Sequence, residues 1–481
     1  MKSFNYLYIS IILVFCFINY SKEEDKLRWA FEIFRHGART PYSGMNVSFH
    51  DCFGHQWIGL KELTGVGLRQ HFLVGYRNQL KYIQENQLIN PIYDPREVFL
   101  ISTDSNRTIM SANAQVQGLF TPGTGKKLNQ EKSEKAIPPV EPGSYEEAKK
   151  ELDDDGYATL PNDITIMPVH SFFNDDHFIQ LQDNKVCPKS INYYIKNQER
   201  KEVVDFLNQM TEKYGEKLME VMPNEKDKNI LKNYTKAYYI FDTVISEYIE
   251  GVDRFDEVVT ALNVTKEELL DDSFKFFDLD LIGKGIDNDK ELCLYSMSPI
   301  FDRLITWMDA KIEKDIEGKE NYTEYDIPKF VMFSAHDSTC GAFMGYMKAV
   351  FGTEIRYPYF ATNINLELTR KGDEKKKENY YIEYIINDES MLNISYTEFT
   401  QKVNENKKSK EEIDKFCGFD EEAKESETES EGTNVYLIVD IILSIFSIVL
   451  IILLIITIKK KSASDFDKKD LNERLYPANS D

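Results

Sequence analysis

Two arginines flank a histidine in the short segment RHGAR, residues 35–39. Two guanidiniums in one loop suit bidentate capture of a tetrahedral anion, and a histidine between them can act as a nucleophile or a general base. Further along the chain stand Arg107, within STDSNRT, and the pair His336 and Asp337, within SAHDST. An aspartate beside a histidine can act as a general acid, although Asp337 also fits the N-cap of a helix.

Each of these polar segments follows a short apolar stretch and precedes a helical pattern. The apolar stretches are residues 28–34, 98–101 and 329–333. Continuous apolar strands that alternate with helices predict an α/β fold with a mostly parallel central sheet and helices on both faces. Because ligands bind beyond the carboxyl ends of parallel strands, we expect the three polar loops to converge at one edge of the sheet.

Composition changes along the chain. Residues 131–290 are rich in Lys, Glu and Asn and mostly helical in pattern, which predicts a mainly helical subdomain inserted between two parts of the α/β core, about 22–130 and about 291–417. The acidic segment 418–434 carries Ser, Thr and Gly, which is typical of a flexible stalk. The folded unit is therefore expected to span residues 22–417.

Both ends of the chain carry apolar segments. Residues 1–21 have the pattern of a signal peptide, and residues 435–458 are long and apolar enough to cross a bilayer, with three lysines directly after them. Residues 459–481 would then form a cytoplasmic tail. These features predict a single-pass type I membrane protein whose folded unit lies in the secretory lumen or outside the cell.

The chain has 481 residues and a net charge of −23, which argues against a nucleic-acid partner because phosphate backbones are bound by clustered Lys and Arg.

A sequon at Asn106 falls inside the second polar loop, where a glycan would block the pocket, so we expect it to be unmodified. The remaining sequons are candidate glycosylation sites in a translocated protein: Asn46, Asn233, Asn263, Asn321 and Asn393.

The motifs RHGxRxP, STDxxRT and SAHDST, together with LTGVGLRQ at 63–70, resemble those of the histidine acid phosphatases of the prostatic and lysosomal type. The resemblance runs through most of residues 28–417. It implies a histidine phosphatase fold, which is phosphoglycerate-mutase-like, and an acid phosphatase that hydrolyses small phosphate monoesters without a cofactor or metal. It also makes a homodimer a candidate assembly.

The resemblance assigns a role to each candidate residue. It makes His36 the nucleophile that forms a phosphohistidine, and Asp337 the donor of a proton to the leaving oxygen. The phosphoryl oxygens would be bound by Arg35, Arg39, Arg107 and His336. Phosphoryl transfer depends mainly on positioning and charge stabilisation, and the arginines would supply both while disfavouring protonation of His36.

The resemblance also implies a disulfide between Cys187 and Cys417, and leaves the pairing of Cys52, Cys293 and Cys340 open.

Two alternative functions remain at this point. One is a phytase-like phosphatase for inositol phosphates, which the net negative charge disfavours. The other is a catalytically idle surface ectodomain, which the intact set of site residues disfavours. The sequence does not choose between a lysosome-like vacuole and the cell surface.

Overall fold

A computed structural model of the chain describes residues 25–42, 49–136, 157–171, 198–223, 225–281, 290–318 and 327–418, with the single positions 138, 152, 187, 189, 195 and 196. Contacts divide the chain into two units, residues 1–417 and 418–481. The elements of secondary structure given below lie among the described residues of the first unit.

A seven-stranded sheet lies at the centre of this unit, with the strand order β3-β2-β4-β1-β5-β6-β7. Its strands are β1 (Lys26–Arg35), β2 (Val98–Ser102), β3 (His170–Ser171), β4 (Phe330–Ala335), β5 (Asn363–Arg370), β6 (Tyr380–Ile386) and β7 (Glu389–Ser395). The prediction of an α/β fold is confirmed.

The parallel half of the sheet contains the three strands that the sequence analysis identified. Strand β4 pairs in parallel with β1 on one side and with β2 on the other, and β2 pairs in parallel with β3. Strands β5, β6 and β7 pair antiparallel, starting from β1. The sheet is therefore mixed, with three parallel and three antiparallel pairings, rather than mostly parallel as the sequence pattern predicted. The loops of the candidate site all follow strands of the parallel half.

Eleven α-helices are present in the described residues. They are α1 (Gly65–Asn78), α2 (Asn106–Leu119), α3 (Gln130–Lys135), α4 (Lys201–Val221), α5 (Tyr234–Glu250), α6 (Asp253–Leu262), α7 (Lys266–Leu281), α8 (Lys290–Glu317), α9 (Asp337–Phe351), α10 (Tyr396–Asn406) and α11 (Lys410–Cys417). A π-helical turn, Gln79–Glu85, continues α1.

Helices cover both faces of the sheet because the strands are apolar on both faces. In β1, Trp29, Phe31 and Ile33 pack with α8, α9 and α10, whereas Ala30 and Phe34 pack with α2 on the opposite face. This two-sided burial explains why the strand reads as a continuous apolar run in the sequence.

A second apolar core lies within helices α4 to α7. It contains Phe206, Phe241 and Phe276, whose rings contact one another, and its buried side chains extend to Val203 and Phe277. These helices bury their own apolar faces against each other, which makes them a helical subdomain. The disulfide Cys187–Cys417 closes a loop of 230 residues that includes this subdomain, and it is the pairing that the family resemblance implied.

Candidate active site

Three loops begin side by side at the carboxyl edge of the parallel strands. In the sheet register Arg35 of β1 lies opposite Ala335 of β4, and Ser102 of β2 lies opposite Ser334. The amide of His36 donates to Ala335 O at 3.0 Å, which continues the ladder into the first loop. The ends of β1, β2 and β4 therefore place His36, Arg107 and His336 at one edge, as the sequence pattern predicted.

The first loop is anchored by the start of helix α1 and by helix α2. The amide of Gly37 donates to Ser111 Oγ at 3.1 Å, and the amide of Ala38 donates to Gln70 Oε1 at 2.8 Å. A Cβ on Gly37 would lie 2.5 Å from Gly67 O, so this position needs glycine for close approach of two backbones. The LTGVGLRQ segment thus acts by fixing the loop that carries His36.

His36 is buried, with 2% of its surface exposed. Its Nδ1 lies 2.8 Å from the carbonyl oxygen of Gly37. Because a carbonyl can only accept, Nδ1 carries the proton, and Nε2 holds a free lone pair. Burial lowers the pKa of His36 well below its usual value, and the positive charges of Arg35, Arg39 and Arg107 lower the pKa further. Desolvation is therefore the largest single cause of the neutrality of this ring, ahead of each arginine.

Arg35 holds its guanidinium in place through several partners. It forms an ion pair with Asp337 at 2.9 Å, and it donates to Pro358 O at 2.8 Å and to the hydroxyl of Tyr357 at 3.1 Å. The ring of Phe360 lies 4.3 Å from its central carbon, and the same ring is 5.7 Å from the ring of His36. Segment 357–360 therefore forms one wall of the site, which the sequence analysis missed.

Arg39 makes a bidentate ion pair with Asp242 of helix α5, with N–O distances of 3.0 and 2.8 Å. Both residues are buried, and the same carboxylate accepts the amide of Tyr42 at 2.6 Å. The sequence analysis also missed Asp242, which is 203 residues away from its partner. An acidic residue on the apolar face of a predicted helix is the signal that could have identified it.

Arg107 and His336 contact each other across the second and third loops. Arg107 Nη2 donates to Nδ1 of His336 at 3.2 Å, and His336 Nε2 lies 2.9 Å from Thr103 Oγ1. Because a guanidinium only donates, Nδ1 of His336 accepts, and its proton sits on Nε2. Burial, and then the charge of Arg107, lower the pKa of His336 to about 3, so this ring is neutral.

The third loop leads into helix α9, which begins at Asp337 with His336 in the N-cap position. Asp337 Oδ1 accepts the amide of Ser338 at 2.7 Å, while Oδ2 faces Arg35. The carboxylate thus contacts both the first helical turn and the arginine of the first loop. The rings of His36 and His336 lie 5.6 Å apart, so all six predicted site residues belong to one cluster.

Three guanidinium nitrogens in this cluster lack an acceptor. Within the described part of the chain, the Nε atoms of Arg35, Arg39 and Arg107 are buried and donate to no hydrogen-bond acceptor. A buried donor without a partner is costly, and several such donors together suit an anion with several oxygens. The arrangement can bind a phosphoryl group beside an uncharged histidine.

An apolar cavity of about 120 Å³ adjoins Arg35. Its walls include Tyr357, Tyr359 and Phe360 from the wall beside the first loop, and Phe274 and Phe277 from helix α7. The helical subdomain therefore contributes directly to the surroundings of Arg35.

The predicted sequons are the remaining candidate positions. Asn233, Asn263 and Asn393 are exposed, as is Asn106, whose amide donates to Glu62 at 3.0 Å. The sequons Asn46 and Asn321 lie outside the described residues, and so do the predicted signal peptide, span and tail.

In the described ranges no group of three or more His, Cys, Asp or Glu is arranged to hold a metal ion. Among the same residues, no helix combines the length and the apolar character needed to cross a bilayer. The predicted span 435–458 lies outside that part of the chain.

Comparison with known proteins identifies the family. The profile of the histidine phosphatase superfamily (branch 2) matches residues 26–387, so the chain belongs to this family. It is similar to the lysosomal acid phosphatase of Xenopus laevis, with 32% identity over 113 residues, which are 23% of this chain and 25% of that protein. It is also similar to the lysosomal acid phosphatase of Bos taurus, with 34% identity over 113 residues, 23% of this chain and 26% of that protein. The matches span about a quarter of the length of these curated relatives.

Solved structures with the same fold include two bacterial phytases. The phytase of Citrobacter braakii superposes with a TM-score of 0.51 at 11% identity, over 82% of this chain and 99% of that one. The Hafnia alvei phytase in complex with myo-inositol hexakis sulphate superposes with a TM-score of 0.51 at 12% identity, over 82% of this chain and 98% of that one. At these identities the likeness concerns the fold alone.

Proposed function

We propose that this protein is an acid phosphatase that hydrolyses phosphate monoesters through a phosphohistidine on His36. The observation that carries the proposal is the hydrogen bond from His36 Nδ1 to Gly37 O. It leaves the Nε2 lone pair available, while burial and three nearby guanidiniums keep the ring uncharged. A neutral imidazole beside an anion-binding cluster is suited to attack phosphorus.

The reaction then has two steps. In the first, His36 Nε2 forms a bond to phosphorus, the ester P–O bond breaks, and protonated Asp337 gives its proton to the departing alcohol oxygen. In the second, water attacks phosphorus, the N–P bond breaks, and the proton released by water returns to Asp337. The carbonyl of Gly37 continues to accept from Nδ1–H, which becomes a stronger donor once Nε2 carries phosphorus.

The three arginines and His336 stabilise the charge on the phosphoryl oxygens. The unpartnered Nε atoms of Arg35, Arg39 and Arg107 are donors that such oxygens satisfy. His336 contacts Arg107 through Nδ1, and its Nε2–H exchanges Thr103 Oγ1 for a phosphoryl oxygen when substrate is bound. Two roles follow for His336, to orient Arg107 and to donate one hydrogen bond.

The proposed need of the enzyme for an acidic medium follows from the ion pair between Asp337 and Arg35. Its ion pair with Arg35 favours the carboxylate form, which cannot donate a proton. A phosphate group bound to Arg35 competes for that guanidinium and brings negative charge close to Asp337, which favours protonation. Activity therefore increases as the medium becomes more acidic.

We further propose a type I membrane protein with its catalytic domain in a lysosome-like lumen or at the cell surface. The apolar segment 435–458 and the following lysines support the anchor. The disulfide Cys187–Cys417 supports an oxidising compartment, since such bonds are rare in the cytosol. Exposed sequons at Asn233 and Asn393 agree with translocation, and relatives named lysosomal acid phosphatase favour the lysosome.

The test is chemical trapping on the full-length protein. Acid quenching during turnover of a labelled ester should leave acid-labile phosphate on wild type and none on His36→Ala. The matched control is His170→Ala, because His170 is an exposed histidine at the end of β3. Equal label on His36→Ala and wild type would contradict the assignment. Failure to release phosphate from any monoester would favour an idle ectodomain.

A further inference from the structure

A buried glutamate stands in the middle of the apolar strand β1. Glu32 has no exposed surface, and its carboxyl group accepts hydrogen bonds from three side-chain amides. Asn78 Nδ2 lies 3.0 and 2.9 Å from its two oxygens, Gln115 Nε2 lies 2.8 Å from Oε2, and Asn363 Nδ2 contacts Oε1. The amide oxygens of Asn78 and Asn363 both accept from Arg77, which fixes the orientation of these two amides as donors to the carboxyl group.

Gln115 connects this carboxyl group to a buried histidine next to the catalytic loop. Its Oε1 lies 3.0 Å from Nδ1 of His71, and Nε2 of the same ring lies 3.1 Å from the carbonyl oxygen of Arg35. Both Gln115 and His71 are completely buried. Glu32, Gln115 and His71 thus form a network that runs from β1 through helices α2 and α1 and ends at the residue before His36.

The donors and acceptors of this network require one extra proton. Arg35 O only accepts, so His71 Nε2 carries a proton. If Gln115 turns its oxygen toward the ring, Nδ1 must also carry a proton, and the carboxyl group is ionised. If Gln115 turns its nitrogen toward the ring, Nδ1 is bare, and the amide oxygen requires a proton on Oε2 of Glu32. Both orientations satisfy every contact with the same total, which is one proton more than a carboxylate and a neutral ring hold together.

The surroundings of the network agree with this count at acidic pH. Burial raises the pKa of Glu32 to about 7 and lowers the pKa of His71 to about 4, so the two groups together hold one proton between these values. The ring of His71 packs on Phe34 at 5.1 Å. The charged groups near the carboxyl group come from α1, the π-helical turn, β5 and the turn between β6 and β7, and they form two ion pairs, Arg77 with Asp388 and Lys81 with Glu367.

Loss of the proton would make two acceptors face each other at one of the three contacts. Because the network has no exposed surface, water does not supply the missing donor, and one contact has to open. Gln70 is adjacent to His71, and it accepts one amide of the catalytic loop. Ser111 lies one turn before Gln115, and it accepts another. An opened contact would therefore disturb the supports of the loop that carries His36.

We infer that the network positions the loop of His36 for the proposed phosphatase reaction, and that the proton it retains in acid holds the carbonyl group of Arg35. The inference rests on the proposed function. It gives a second reason for activity in acid, separate from the protonation of Asp337. Glutamine in place of Glu32 supplies the same hydrogen through its amide and cannot lose it, so Glu32→Gln reproduces the protonated network at every pH.

The pH dependence of Glu32→Gln relative to wild type tests the inference. Full-length proteins are compared on nitrophenyl phosphate, and the kcat/KM of the variant is divided by that of wild type at each pH, so that ionisation of the substrate and of Asp337 cancels. The ratio should be within about twofold of one at about pH 5 and roughly ten at about pH 8, where about a tenth of wild-type molecules keep the proton. A ratio that stays constant or falls as the pH rises would overturn the inference.

Glu247→Gln is the matched control, because Glu247 is an equally buried carboxyl group on helix α5, outside the network. Its ratio to wild type should not change with pH, and a rise equal to that of Glu32→Gln would contradict a specific role of the network. A second background uses His71→Phe, which keeps a ring beside Phe34 but cannot donate to Arg35 O. In that background the further change Glu32→Gln should no longer produce a rise, and a persisting rise would also contradict the inference.

Gln115→Leu decides the question if Glu32→Gln fails to fold. It separates the carboxyl group from the ring, so a neutral His71 can donate to Arg35 O at any pH. Its activity ratio to wild type should start below one, because Nδ1 loses its partner, and should still rise roughly tenfold over the same pH range. A constant ratio for this variant would overturn the inference.

Binding of inorganic phosphate separates this inference from the proposed function. Calorimetry on the full-length proteins gives the dissociation constant of wild type divided by that of Glu32→Gln, which should rise over the same pH range. If this quotient rises while no ester is hydrolysed, the proposed function fails and the positioning network stands. If esters are hydrolysed but neither ratio changes with pH, the network has no positioning role and the proposed function stands.

Discussion

The guanidinium of Arg35 lies 2.9 Å from the carboxylate of Asp337, and this ion pair joins the first loop of the site to the start of helix α9. Arg35 is almost completely buried, whereas the Asp337 side chain is 23% exposed. The proposed proton donor therefore forms an ion pair with the same arginine that is proposed to bind substrate. In the proposed mechanism a substrate phosphate and the carboxylate of Asp337 compete for one guanidinium, which would couple binding to proton delivery.

Asp337→Asn should separate substrates by their leaving groups. Asparagine keeps the size of the side chain but cannot give a proton to the departing oxygen. We expect kcat/KM to fall by roughly 10²–10⁴ on an alkyl phosphate and much less on nitrophenyl phosphate, whose leaving group is a weak base. Steady-state kinetics on both esters measure the difference. Equal losses would mean that Asp337 only positions Arg35.

Asp242→Ala should destabilise the protein and impair catalysis together. The change leaves the buried guanidinium of Arg39 without its bidentate partner, and removal of one member of a buried pair costs about 3–5 kcal/mol. Urea unfolding and kcat/KM on one ester measure the two effects. Asp205→Ala on helix α4 is the control, because Asp205 pairs at the surface with Lys201. If Asp242→Ala were as stable as wild type, the ion pair between Arg39 and Asp242 would not contribute to the stability of the fold.

Arg107→Ala should weaken oxyanion inhibition. The loss of one charge-assisted contact is worth about 1.5–3 kcal/mol, so inhibition constants for phosphate and vanadate should rise by roughly 10- to 100-fold. The control is Arg96→Ala, an exposed arginine that pairs with Asp94 in a turn. If vanadate inhibits the Arg107 variant and wild type equally, the second loop does not contribute to the anion site.

The stability of the fold should decrease as pH rises. Burial and the neighbouring carboxylate of Asp51 raise the pKa of Glu247 to about 9, and burial raises the pKa of Glu32 to about 7. The usual pKa of both groups is 4.5, so between these values the folded state holds protons that the unfolded chain releases. The stability that Glu247 and Glu32 contribute is complete below their usual pKa. It is lost as the pH rises through the pKa of each group in the folded protein.

Glu247→Gln provides the check, since glutamine stays neutral at every pH. Denaturant unfolding between about pH 5 and about pH 8.5 should show a smaller decrease in unfolding free energy for Glu247→Gln than for wild type. Each group contributes at most about 1.4 kcal/mol per pH unit. Glu212→Gln, which replaces an exposed residue of helix α4, should give the same dependence of unfolding free energy on pH as wild type. A Glu247→Gln curve parallel to wild type would refute the assignment.

The disulfide Cys187–Cys417 should contribute measurably to stability. Its Cα atoms are 4.6 Å apart and it closes a loop of 230 residues, so replacement of both cysteines by serine should cost on the order of 2–5 kcal/mol. Peptide mapping without reductant should recover the two cysteines in one linked fragment. Recovery of both as thiols would contradict the assignment. Cys52→Ser controls for cysteine replacement elsewhere in the chain.

The sequence was informative wherever local pattern determines local structure. The apolar run of β1 and the polar motif after it predicted both a buried strand and the position of His36. The same reasoning placed Arg107 and His336, because parallel neighbours bring their carboxyl ends to one edge. Helix α1 begins at Gly65 because Thr64 caps it, accepting from the amide of Gly67.

The partners that come from other layers could not be predicted in this way. Asp242 reaches Arg39 only through the packing of the helical subdomain against the sheet edge, which no local periodicity encodes. The same applies to Phe274, which forms the cavity together with Tyr357, more than eighty positions away. The sequence analysis attributed the neutrality of His36 to the arginines alone, whereas burial of the ring is the largest single cause of its lowered pKa.

The cavity walls have two separate origins in the chain, one beside the first loop and one on helix α7. The atoms proposed to break the ester bond all come from the loops at the sheet edge. Substitutions on the inner face of α7 can therefore change the shape of this cavity while the residues of the three loops stay the same. The surroundings of Arg35 and the groups proposed to act on the ester thus belong to separate elements of the fold and can vary independently.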